Sequence, residues 1–192
     1  MKKLAAVAIG FVISFSAFAQ KALSPDGDMP YFNQGNNVYR PGATCGMTSA
    51  AMLMGYWTPS NRRIITPDEI YLRYGTHRKG QTPEGLADIY SDYGYKSVSV
   101  RNGTEQKLKS ILDRGYPVVF HGYFTNGHII VIRGYNDRGY IVNDPAGNWL
   151  RCYKCGYGRD RDGEKQVYTY SEMNERVMSY PGDLWYSYIV PR

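Results

Sequence analysis

The sequence predicts a single α+β domain in which helices come first and an antiparallel sheet follows. Three observations carry this. Helix-start signals built on Thr recur between Thr66 and Thr104. Runs rich in Val, Ile, Tyr and Phe dominate from Lys96 onward. Between two of these runs, Asn136-Asp137-Arg138-Gly139 has the composition of a hairpin turn, which makes its flanking strands antiparallel neighbours.

At the N-terminus, Met1-Lys2-Lys3 precedes the apolar stretch Leu4 to Phe18 and the small-x-small triplet Ala17-Phe18-Ala19. This is the pattern of a secretory signal peptide, residues 1–19, cleaved after Ala19. A membrane anchor would need about 20 apolar residues, and this stretch ends sooner in Gln20, Lys21 and Ser24. Later apolar runs are shorter still. The mature protein is therefore expected to be exported, periplasmic or secreted, with no stable membrane anchor after cleavage and no lipoprotein cysteine. Removing 19 of 192 residues leaves 173 (192 − 19), which suits one domain. Residues 20–30 read as an irregular lead-in and residues 31–192 as the domain.

The elements follow in order. Pro41-Gly42-Ala43-Thr44 is a turn, and the Ala-, Met- and Leu-rich run from Cys45 to Trp57 predicts a buried helix, although Gly46 and Gly55 weaken it. Thr66-Pro67-Asp68-Glu69 starts a second helix, running to about Tyr74. Thr82-Pro83-Glu84 starts a third, stopped by Gly94, and Thr104 a fourth, stopped by Gly115. Strands are expected at 96–101, 117–124, 128–135, 140–143 and 184–190, with a short helix at 171–178 and an insertion rich in Gly, Arg and Asp at 146–170.

Charge narrows the function classes. The net +6 includes Lys2 and Lys3, so the mature chain carries +4 (6 − 2). Its basic residues, among them Arg62, Arg63, Arg78, Lys79, Arg159 and Arg161, are scattered through loops rather than gathered in a stripe. That excludes nucleic acid as an expected partner.

An exported chain usually pairs its thiols, and this one has three. Cys152 and Cys155 are close enough in sequence to form a structural disulfide, which leaves Cys45 as the odd one. No second Cys or His pair accompanies them, so a zinc site is not expected, and Asp160-Arg161-Asp162-Gly163-Glu164 is too short for a calcium loop. Cys45 sits at the first turn of its helix, where unpaired N–H groups and the helix dipole stabilise a thiolate and so supply a nucleophile.

A thiolate nucleophile requires a base, and only three histidines exist. His77 lies in a polar loop and His121 mid-strand, where a structural role is the commoner one. His128 opens a strand straight after Thr125-Asn126-Gly127, which allows its ring to face a cleft. Asp144, on the partner strand, would orient the imidazole, or else merely cap the strand before Pro145. Regular pairing from Tyr135 opposite Tyr140 puts His128 across from residue 147, leaving Asp144 short by about 10 Å. A bulge or a longer turn would have to close that gap.

Several segments together are similar to a known family. They are Pro30-Tyr31-Phe32-Asn33-Gln34, Thr44 to Met52, Gly127 to Tyr135, and Val142-Asn143-Asp144-Pro145. In order and spacing they resemble the bacteriocin-processing, double-glycine peptidases, family thirty-nine of the cysteine peptidases. The resemblance implies a papain-like fold, with the nucleophile at a helix start and the helices packed on a C-terminal antiparallel sheet. It implies Cys45 as nucleophile, His128 as base, Asp144 as orienting acid and Gln34 as an oxyanion donor, with no metal or organic cofactor. Two departures stand out: Met47 where the family commonly has Pro, and the 146–170 insertion, which the family does not explain.

The expected function is an exported cysteine peptidase or amidase acting through a thioester. Expected substrates are a peptide, a protein or a peptidoglycan stem peptide. An acyltransferase would use the same residues, and an inactive papain-like envelope binding module would retain only the fold. The 19 tyrosines give a weak hint of glycan contact, and Met47, Met52 and Met54 read as core fillers. The sequence leaves the oligomeric state open.

Overall fold

The structure, a computed structural model, describes residues 29–152, 155–160, 162–176 and 185–192. The expected signal peptide, residues 1–19, and most of the expected lead-in lie outside the described residues. Among the described residues no helix is long and apolar enough to cross a membrane.

The first helix, α1 (Cys45–Tyr56), is buried at every position after Cys45. Its sequence is apolar all round because it is enclosed by α2 (Pro67–Tyr74), α3 (Pro83–Asp92) and the sheet. The two glycines inside it are packing requirements. A Cβ on Gly46 would lie 1.7 Å from the Gly80 carbonyl oxygen, and one on Gly55 would lie 2.3 Å from Pro30 Cγ. Gly80 belongs to a 3₁₀ turn, His77–Gln81, pressed against the start of α1.

The predicted caps form as the sequence requires. Thr66 and Glu69 close a full capping box on α2, and Thr82 accepts from Gly85 N at the start of α3. Thr104 does the same for α4 (Glu105–Asp113), accepting from Lys107 N.

Strands β1 (Tyr95–Arg101), β2 (Val118–Gly122), β3 (His128–Tyr135), β4 (Gly139–Asn143), β5 (Gln166–Thr169) and β6 (Trp185–Pro191) form one sheet in the order β1-β6-β2-β3-β4-β5. All its pairings are antiparallel. β5 lies inside the expected insertion and was not foreseen there. The short helix α5 spans Tyr170–Arg176.

Alternate residues of β3 feed two cores. Ile129 and Val131 join α1 to α3, while Ile130 and Ile132 join α4, Tyr168 and Met173 on the other face. Burial on both faces accounts for the unbroken apolar run of that strand. Each fully buried Ile or Leu contributes about 2 kcal/mol, so the center of the sheet is its most firmly fixed part.

Candidate active site

Cys45 is half-buried at the first position of α1, preceded by Thr44 at the N-cap. Thr44 makes no side-chain cap; its hydroxyl instead accepts from Asn37 Nδ2 at 2.9 Å. The sulfur of Cys45 takes hydrogen bonds from the backbone N–H groups of Gly46 and Ile129. Ser49, one turn further along α1, donates to the Ile129 carbonyl at 3.0 Å. This bond pins the start of α1 against the start of β3, and so brings Cys45 to His128.

His128 is 5% exposed, and its Nε2 lies 2.8 Å from Asp144 Oδ1. The ring is also hydrogen-bonded to the Cys45 thiol, which leaves Nδ1 as the nitrogen facing sulfur. Phe124 and Tyr157 meet the imidazole edge-on, with centroids at 6.0 and 5.2 Å.

A bulge shortens the gap between His128 and Asp144 by one residue and changes which face Asp144 takes. Tyr135 pairs with Tyr140 and Gly134 with Ile141, yet Ile132 pairs with Val142 and Val131 with Asn143. Arg133 is therefore an extra residue, and one extra residue reverses the facing of everything beyond it. Regular pairing would put Asn143 on the face of His128; the bulge puts Asp144 there. The contacts agree. Asn143 Nδ2 meets Met52 Sδ of α1 at 4.0 Å, on the opposite side of the sheet from Asp144's partner Tyr168.

Asp144 is fully buried and its carboxylate is saturated. Oδ1 accepts from His128 and from Ala146 N at 2.9 Å, and Oδ2 accepts from Tyr157 Oη at 3.0 Å and Tyr168 Oη at 2.7 Å. Its backbone carbonyl accepts from Tyr31 Oη at 3.0 Å.

This surrounding determines the charges. Burial pushes the Cys45 thiol up, but the hydrogen bond and charge of His128 and the two backbone N–H groups hold it below its ordinary value. Burial pushes the His128 imidazole down, and the Asp144 charge, its hydrogen bond and Cys45 outweigh this, raising it to about 10. Both directions favour a thiolate–imidazolium pair.

Gln34 sits in a 3₁₀ turn, Gln34–Asn36, with its backbone N–H on the Pro145 carbonyl at 2.7 Å. Its side-chain Nε2 donates to the Pro41 carbonyl at 2.9 Å, which leaves the second amide hydrogen uncommitted by that bond. His121 stacks on Trp185 at 5.4 Å, His77 starts the 3₁₀ turn beside α1, and neither is brought to Cys45 by a hydrogen bond. Cys152 and Cys155 form a disulfide, leaving Cys45 as the free thiol. Among the described residues no cluster of His, Cys, Asp and Glu is arranged to hold a metal ion.

Sequence reasoning missed Tyr157, Tyr168 and Ser49. The abundance of Tyr was a signal, but it pointed toward sugars, whereas these two phenols turn inward as donors, Tyr168 buried and Tyr157 half-buried.

The model of the Peptidase_C39 like family matches residues 27–175. The chain belongs to this family. Its fold is shared with solved structures of C39 peptidases. A double glycine motif protease from an AMS/PCAT transporter, solved with its leader peptide, is 16% identical, with a TM-score of 0.57, over 85% of this chain and 91% of that one. The peptidase domain of Streptococcus ComA, a bifunctional ABC transporter of a quorum-sensing pathway, is 14% identical, with a TM-score of 0.58, over 79% and 93%. A candidate C39-like peptidase from Bacillus anthracis is 16% identical, with a TM-score of 0.52, over 85% and 95%. No curated protein matches the chain. Family and fold together support a cysteine peptidase.

Proposed function

We propose that this family member is an exported cysteine peptidase or amidase with Cys45 as nucleophile, His128 as acid–base group and Asp144 as orienting acid. The observation that carries the reading is the line from the half-buried Cys45 through His128 to Asp144, in which a 2.8 Å bond joins His128 to Asp144 and the bulge at Arg133 sets the facing of Asp144.

The Cys45 thiolate attacks the carbonyl carbon of a peptide or amide, forming the carbon–sulfur bond and moving the carbonyl electrons onto oxygen. The Cys45 N–H at the start of α1 and the second amide hydrogen of Gln34 are the donors proposed for that oxyanion. Collapse breaks the carbon–nitrogen bond, and the His128 imidazolium gives its proton to the leaving amine. Water then attacks the thioester while His128 accepts its proton; the carbon–sulfur bond breaks, releasing the acid and restoring the thiolate. Every group in the cycle comes from the chain, the substrate or water.

Export is supported by the N-terminal pattern and by the Cys152–Cys155 disulfide, which suits an oxidising compartment. Among substrates, a peptide is favoured because one neighbour holds its leader peptide; a peptidoglycan stem peptide and a secreted protein are the first two to try. Incubating purified sacculi and a mixed peptide library with the wild type and Cys45→Ala, followed by mass spectrometry, tests this. New amine and acid termini made only by the wild type are expected. Products joined to an added amine would make the enzyme an acyltransferase, and no Cys45-dependent product at all would leave a binding module.

A further inference from the structure

The 146–170 insertion contributes directly to the electrostatics of the site. Tyr157 comes from its middle, where it bridges to Trp149, and Tyr168 from β5, the added edge strand opposite Tyr140. Both phenols end on the same oxygen, Asp144 Oδ2, at 3.0 and 2.7 Å. Phe124, Trp149 and Tyr168 pack with centroids 5.1 to 5.7 Å apart, and the Arg151 guanidinium lies 4.4 Å over the Tyr168 ring.

A carboxylate offers about four acceptor positions, and here all are taken, by His128, Ala146 N, Tyr157 and Tyr168. The two phenols prevent the carboxylate from rotating away from His128. They also stabilise its charge where water is excluded. Burial first, and then the Asp144 charge, holds both phenols well above their ordinary range, so they act as donors.

We propose that Tyr157 and Tyr168 are positioning residues that act through Asp144 and His128 to hold Cys45 as a thiolate. This rests on the reading of Cys45 as the nucleophile. Removing one hydroxyl leaves an acceptor position of the buried carboxylate unfilled and frees that carboxylate to turn away from His128. A carboxylate turned away from His128 supports the imidazolium less, and the thiolate loses its counter-charge. The titratable and charged groups facing this chain of contacts are Cys45, His128, Tyr31, Tyr157, Tyr168 and Arg151, with Asp162 acting on Tyr31.

The test is the pH dependence of iodoacetamide labelling at Cys45, read by peptide mapping, in the wild type, Tyr157→Phe and Tyr168→Phe, each checked for folding by thermal melting. Tyr90→Phe is the control, because the Tyr90 hydroxyl is buried with no hydrogen-bond partner among the described residues. In the Tyr157 and Tyr168 variants, labelling below the wild-type inflection is expected to fall roughly tenfold, a one-unit upward move, with Tyr90→Phe unchanged. Either variant carries the test if the other does not fold. Folded variants that label with the wild-type inflection overturn the proposal and leave the nucleophile reading standing. A wild-type inflection at the ordinary thiol value, about 8.5, overturns that reading itself.

Discussion

At the scale of single residues, the site is a problem of placing three charges where water is scarce. The Cys45 thiol is held below its ordinary value and His128 is raised to about 10, which favours an ion pair at pH values between the two. Falling pH protonates the thiolate, and rising pH deprotonates the imidazolium. Hydrolysis should therefore follow a bell-shaped pH profile whose acid limb lies below the ordinary thiol value and whose alkaline limb lies near 10, measured as initial rate against pH. Asp144→Asn keeps the shape and removes the anion; it should lower the rate by at least roughly a hundredfold and move the acid limb upward. The proposed nucleophile and base could be picked from the sequence because Cys45 is the odd thiol and only three histidines compete. Tyr157 and Tyr168 were not, since a phenol that will donate to a carboxylate has no local signature among 19 tyrosines.

At the scale of elements, register matters as much as chemistry. The bulge at Arg133 turns Asp144, rather than Asn143, toward His128. Deleting Arg133 should restore regular pairing and abolish thiolate formation at Cys45. Circular dichroism would report the sheet and alkylation the thiol; a sheet-retaining deletion that alkylates like the wild type would count against the register argument. Gly46→Ala separates packing from propensity. Helix propensity alone predicts a gain of up to about 1 kcal/mol, but the added Cβ meets the Gly80 carbonyl at 1.7 Å. The clash should dominate, with a net loss of about 1–3 kcal/mol in urea unfolding. The capped helices could be read from Thr66, Thr82 and Thr104 because a cap is written within four residues of sequence. Strand β5 could not, since Gln166–Thr169 becomes a strand by pairing with β4.

At the scale of the whole molecule, one sheet separates the helix that carries Cys45 from the insertion that supports Asp144, and the site forms where β3 begins. The fold class was legible because the first three helices precede every β-rich run, while only α4 and the short α5 fall among the strands. The strand order was not: β6 enters between β1 and β2, with Ser187 between Ser99 and Val119, a long-range pairing that no local pattern encodes. The disulfide closes only a short loop, 152–155, so replacing both cysteines with serine should cost no more than about 2 kcal/mol by loop closure, seen as a modest drop in Tm with the fold retained. The central claim is that this architecture makes Cys45 a thiolate through His128. Its most direct test is alkylation of Cys45 by iodoacetamide across pH 4 to 10 in the wild type and His128→Ala. The account predicts a wild-type inflection below the ordinary thiol value that rises to the ordinary range in the variant; a wild type that titrates at the ordinary value, about 8.5, or a variant indistinguishable from it, would contradict the account.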